Sequence, residues 1–88
     1  MFFIVYGKFR KKPTKAMLAQ VSMIFEQMAK EGIKWVVQYW TVGRYDVLSV
    51  AEARDEKVIM KAVLRFGDFL SLETLIAVPR EEAIKLDE

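Results

Sequence analysis

Three segments of this 88-residue chain carry apolar residues on both alternating faces. In Phe2–Phe9, Phe3 and Val5 fall on one side of an extended chain, and Phe2, Ile4 and Tyr6 on the other. A strand of this kind has to be covered on both sides. Ile33–Thr41 repeats the pattern: Ile33, Trp35, Val37 and Tyr39 alternate with Val36 and Trp40, with Lys34 and Gln38 between. Phe69–Val78 is a third such segment. Tyr45–Ala53 is rich in the same β-branched and aromatic types and reads as a further strand.

Helical spacing fills the intervals. Met17, Val21, Ile24, Phe25 and Met28 mark one stripe of a helix over Thr14–Glu31, with Pro13 suited to its first turn and Gly32 to its end. Asp55 suits an N-cap and Glu56 the positive end of the helix dipole. Val58, Ile59, Ala62, Val63 and Phe66 form the stripe of this second helix, which Gly67 stops. Pro79, Glu81 and Glu82 open a short terminal helix, with Ala83, Ile84 and Leu86 to pack. Between the second and third strands, Val42-Gly43 reads as a hairpin connection. Gly43 takes its positive-φ position, and Trp40 and Tyr45 pair across it.

The order β-α-β-β-α-β with a C-terminal short helix, joined by right-handed crossovers, predicts an α+β, ferredoxin-like domain over residues 1–88. Its four-stranded antiparallel sheet carries both long helices on one face. Those helices leave roughly six to eight large strand side chains facing water, at ~1.5–3 kcal/mol each. A chain this short gains from association, so the expected state is a homodimer or higher homo-oligomer, with two open faces closed on each other as a dimeric α/β barrel.

Composition narrows the chemistry. With 53% hydrophobic and 30% charged residues, disorder is not expected. The chain has neither cysteine nor histidine, which removes thiolate chemistry, the commonest general base and the commonest metal ligand. No metal or cofactor is expected. The opening apolar run, Met1–Tyr6, is too short for a membrane span or a signal peptide, so a cytoplasmic protein is expected. Net charge is only +2, but Lys8, Arg10, Lys11, Lys12 and Lys15 fall in one window. This is either a solvated loop or an anion site. Without aromatic interleaving beyond Phe9, nucleic acid is not the expected partner.

Tyr39-Trp40-Thr41-Val42-Gly43-Arg44-Tyr45-Asp46-Val47 resembles the signature of the GYD domain family, whose glycine, tyrosine and aspartate are matched by Gly43, Tyr45 and Asp46. Glu73-Thr74-Leu75 resembles that family's last strand. The resemblance implies a ferredoxin-like, dimeric α/β-barrel subunit without an established catalytic residue. The basic Lys8–Lys15 connection departs from the pattern. A weaker similarity, through Thr41, Gly43, Tyr45, Asp46 and Thr74-Leu75, is to the ligand-binding domain of feast/famine (leucine-responsive) regulators, which binds amino acids at a subunit interface. No helix-turn-helix precedes it here, so direct transcription control is not expected.

The candidate ligand-binding residues are Tyr6, Lys8, Tyr39, Arg44, Tyr45, Asp46 and Glu73. Asp46, in an apolar context, needs partners. It either accepts N–H groups at the first helix's N-terminus near Thr14 and Lys15, or binds a ligand amine. Arg44 is a solvated charge or a carboxylate clamp. The three tyrosines line a pocket or fill the core or interface. Glu73 pairs with a cation across the sheet edge or projects into the barrel. No nucleophile–base pair or phosphate loop is present, so no catalytic residue is assigned. The leading expectation is a binding or assembly module for an amino-acid-like metabolite. Its rival is a cofactor-independent enzyme, monooxygenase- or isomerase-like, using the barrel interior.

Overall fold

Thr14 and Asp55 start the two long helices of the computed structural model, which describes residues 1–86. Thr14 Oγ1 accepts the Met17 N–H at 3.1 Å and opens α1 (Lys15–Lys30). Pro13 therefore lies before the cap rather than in the first turn. Asp55 Oδ1 accepts the N–H groups of Lys57 and Val58 at 3.0 and 3.1 Å and opens α2 (Glu56–Phe66). These bonds, that from Val58 foremost, hold its carboxyl below the usual range. At the end of α1, Gly32 has φ +110°, and Ile33 N–H donates back to Met28 O at 3.0 Å. The two side chains joined by that bond, Met28 and Ile33, are both buried, which is the apolar clasp such a helix end favours.

The strands are β1 (Phe2–Phe9), β2 (Lys34–Trp40), β3 (Val47–Glu52) and β4 (Leu70–Ala77), and α3 (Arg80–Lys85) comes last. They form one antiparallel sheet in the order β2-β3-β1-β4. This is the ferredoxin-like α+β arrangement expected from the sequence. One face of the sheet meets the helices: Phe3 and Val5 of β1, Ala51 of β3 and Leu70 of β4 are buried there with Ile59, Ala62 and Phe66 of α2. Trp35 of β2 wedges between both helices. Its ring lies 4.8 Å from Phe25 and 6.5 Å from Phe66, and its Nε1 donates to Phe25 O at 3.1 Å. Phe2, Ile4 and Tyr6 alternate onto the other face, as do Leu48, Val50 and Leu75.

The alternation read in the second strand does not survive intact. The register slips between Trp35, which faces Ala51, and Val37, which faces Val50, so Val36 is an extra, bulged residue. The bulge reverses the phase. Trp35, Gln38 and Trp40 share the helix side, and Val37 and Tyr39 share the open side. Gly7 marks another close fit. A Cβ there would sit 2.6 Å from Val47 Cγ2 and 2.8 Å from Leu72 Cδ2, so only glycine lets both neighbours fill the sheet's helix side. The expectation that α3 packs is also corrected. None of its residues is buried, and Ile84 and Leu86 are 50% and 81% exposed.

An ion cluster ties the two helices. Glu31, the C-cap of α1, accepts from Arg65 at 2.7 and 3.3 Å and from Gln27 at 2.8 Å, and it lies 3.0 Å from the Lys61 ammonium. The Arg65 hydrogen bond is the chief reason its carboxyl drops from 4.5 to about 2. A depressed carboxyl stabilises the fold fully above its unfolded value and loses that contribution as pH falls through the folded one. The stability difference between the native chain and Glu31→Gln is expected to be constant near neutrality and to vanish between pH 4.5 and about 2. Urea unfolding across that range checks it. A difference independent of pH would mean the cluster is not what holds the helices together.

Candidate functional site

Four residues lie side by side across the open face: Tyr39 of β2, Leu48 of β3, Tyr6 of β1 and Glu73 of β4. The hairpin between β2 and β3 adds Tyr45 to this row. Its ring stacks on Tyr6 at 4.9 Å and 25°, and its hydroxyl donates to Glu73 Oε2 at 2.6 Å. The bond to the Glu73 carboxylate, with some desolvation, pushes the Tyr45 phenol above its ordinary 10. The Arg44 guanidinium lies 5.7 Å from the centre of the Tyr45 ring, within cation–π range. Lys8, exposed, sits opposite Ser71 on the same face, two residues beyond Tyr6. Register and hairpin together thus gather Tyr6, Lys8, Tyr39, Arg44, Tyr45 and Glu73 at one end of the open face.

The hairpin itself is closed by Thr41. Its N–H donates to Asp46 O at 2.8 Å and its hydroxyl to Tyr45 O at 2.7 Å. Gly43 turns the chain with φ +133°, the positive value expected of it. Trp40 and Tyr45 do not pair across this loop. Trp40 packs on Phe9 at 5.4 Å on the helix side, while Tyr45 is on Tyr6.

Asp46 has a different partner from the one expected. It does accept a backbone N–H, but from Phe9 at 2.9 Å, not from α1, whose start Thr14 already caps. The reason lies in the lengths of the strands. β1 runs past the last β3 residue it faces, the pair Gly7–Val47. Asp46 N–H donates to Gly7 O at 2.8 Å, and its side chain then reaches the next free donor. The carboxylate extends the ladder by one bond where the β3 backbone has turned away. Lys8, Arg10, Lys11 and Lys12 surround a shallow depression of about 440 Å³ that also takes in Trp40 and Asp46. Arg10 is committed there, since its Nε donates to Gly67 O at 2.7 Å.

Sequence reasoning missed a second recess, a cleft of about 340 Å³ between α1 and the helix side of the sheet. Among its polar residues, Gln38 and Ser49 are polar positions on the helix side of apolar strands, and that was the available signal. Among the described residues, no group of three or more acidic, His or Cys side chains could hold a metal ion. No helix among them is long and apolar enough to cross a membrane.

Asp46→Ala leaves the Phe9 N–H without its charged acceptor. The expected loss is about 1–2 kcal/mol, toward the low side for a bond to a charged group because the site is half-exposed. Asp46→Asn, which keeps an acceptor oxygen, should lose less. Denaturant midpoints of the three proteins test the ranking, and equal stability would remove the ladder-extending role.

Comparison with known proteins places this geometry. No curated protein matches the chain. Among solved structures it is similar to a dimeric ferredoxin-like protein of unknown function from Thermobifida fusca. The two are 15% identical over 88% of this chain and 89% of that one, with a TM-score of 0.57. A Streptomyces coelicolor protein is 13% identical over 88% of this chain and 95% of its own, with a TM-score of 0.56. At such identities the likeness is one of fold alone. The family model of the GYD domain, by contrast, matches residues 3–86, from β1 to the end of α3 and through the Gly43–Tyr45–Asp46 hairpin, and the chain belongs to the GYD domain family.

Proposed function

We propose that the protein is a homodimeric barrel subunit that binds a small amino-acid-like metabolite between its two sheets. The observation that carries this reading is the uncovered sheet face. Its middle row, Val37, Val50, Ile4 and Leu75, is wholly apolar and lies on the face away from α1 and α2. Leu75 and Tyr39 are 49% and 59% exposed in the single chain. An apolar face of this extent is a poor surface for a monomer. Two such faces related by a two-fold axis bury one another, and an interface of ~2,000 Å² is what an obligate dimer of this kind needs. The similar Thermobifida fusca protein is itself described as dimeric.

Pairing of the faces would enclose the row at their polar end. Glu73 uses only Oε2 for Tyr45, and Oε1 accepts no bond among the described residues, which suits a ligand ammonium. Lys8 and Arg44 supply cations for a carboxylate. The raised Tyr45 phenol is a hydrogen-bond donor at neutral pH and a poor general base, which favours binding over the cofactor-independent enzyme as a reading.

Light scattering after size exclusion is expected to give twice the 10.2 kDa chain mass. Leu75→Glu, which puts a charge into the middle of the face, is expected to give a folded monomer. A monomeric native chain would overturn the proposal at its first step. In a thermal-shift screen of free amino acids, at least one should raise the melting temperature. Glu73→Gln should abolish that shift while leaving the dimer intact. A dimer that responds to no amino acid would leave assembly standing and remove the ligand.

A further inference from the structure

We propose that the cleft between α1 and the sheet is a second binding site, for a neutral, planar small molecule carrying a hydroxyl or amide group. At about 340 Å³ it lies toward the small end of ligand pockets, about 300–1,000 Å³. Phe9 and Trp40, in tilted contact at 5.4 Å, form one wall, and Phe25 of α1 contributes to the other. Flat aromatic walls favour a flat occupant, which stacks on them. Trp40 is 66% exposed at the mouth, a large apolar surface left open beside a recess.

The polar groups set the chemistry. Ser49 lines the cleft from β3 and is 7% exposed, yet its hydroxyl makes no hydrogen bond among the described residues. No buried side-chain oxygen or nitrogen among the described residues lacks a partner, so the Ser49 hydroxyl is reached through the recess and is free to bond an occupant there. Gln38 is directly opposite Ser49 in the sheet register and also lines the cleft, and its amide is likewise unpaired among the described residues. Ser22 adds a third neutral polar group from α1. No charged side chain lines the cleft, so an ion entering it would lose water without gaining a counter-charge. Both donors and acceptors are present, which suits a group that does both. The cleft lies on the side of the sheet opposite the Tyr6–Glu73 row. Tyr39 stands in that row and also borders the cleft, so substitutions at Ser49 and Ser22, which belong to the cleft alone, test it apart from the open face.

The test is a titration of the ¹⁵N-labelled full chain with 4-hydroxybenzamide and, as the anion of the same shape, 4-hydroxybenzoate. The neutral probe should give saturable shifts at residues 38–40 and 47–49 and at the Trp40 indole, with at least tenfold tighter binding than the anion. Ser49→Ala should weaken the neutral probe by about tenfold, the loss of one buried hydrogen bond. Ser22→Trp, at an exposed position of α1, should close the mouth and abolish binding without disturbing the rest of the spectrum. It decides the matter even if the Ser49 variant misfolds. No saturable shift, equal binding of the two probes, or undiminished binding to Ser22→Trp would each overturn the proposal.

Discussion

Four strands make two faces, and this chain supplies long helices for only one. The central strand carries the mark of that imbalance. On its helix side β1 presents Phe3, Val5 and Gly7, and the last is glycine because Val47 and Leu72 already occupy the space a Cβ would take. On its other side it presents Phe2, Ile4 and Tyr6, which pair in register with residues of β3 and β4 on the face away from α1 and α2. The helices cannot be shared between the faces. Trp35 is locked against Phe25 and Phe66, and Glu31 is locked to Arg65 and Lys61, so the α1–α2 layer is fixed to one side. The protein's chemistry therefore divides by face. A polar, partly charged row sits at the end of the open one, and an uncharged cleft lies under the helices on the other.

Most of the fold was legible because its signals are local. Asp55, Gly32 and Gly43 each act within a few residues of their own position, and each does in the structure what its residue type favours, whereas the start of α1 falls one residue later than Pro13 suggests, at a Thr14 cap. Features that depend on a distant neighbour were not legible. The Val36 bulge is set by how β2 registers on β3, and it turned the expected partners of Trp35 and Trp40 around. The need for glycine at position 7 comes from Val47 and Leu72, forty and more residues away. α3 has a helical pattern with apolar residues, but pattern alone does not say whether the protomer offers a surface to receive them.

The candidate site divides in the same way. Tyr6, Tyr39 and Glu73 stand out by residue type, but only strand register makes them neighbours, and only the hairpin's path brings Tyr45 onto Glu73. Asp46 is a carboxylate in need of a backbone donor, as its apolar context implies. Its true donor, Phe9, comes from β1 outrunning β3, a difference in strand length that the sequence blurs. The cleft beside Ser49 is empty space between α1 and the sheet, and no run of residues encodes a void.

The slip at Val36 has one more result. Both tryptophans of the chain, Trp35 and Trp40, lie on the helix side of the sheet, and all three tyrosines, Tyr6, Tyr39 and Tyr45, lie on or beside the open side. The molecule is thereby a sheet with a different chromophore on each surface. Indole emission reports the helix side, where Trp40 lines the cleft and Trp35 packs against Phe25 and Phe66, and phenol absorption reports the tyrosines on or beside the open face. Energy passed from tyrosine to tryptophan crosses the thickness of the sheet itself, so the tyrosine-sensitised part of the indole emission reports how the two surfaces are held relative to each other without any added label.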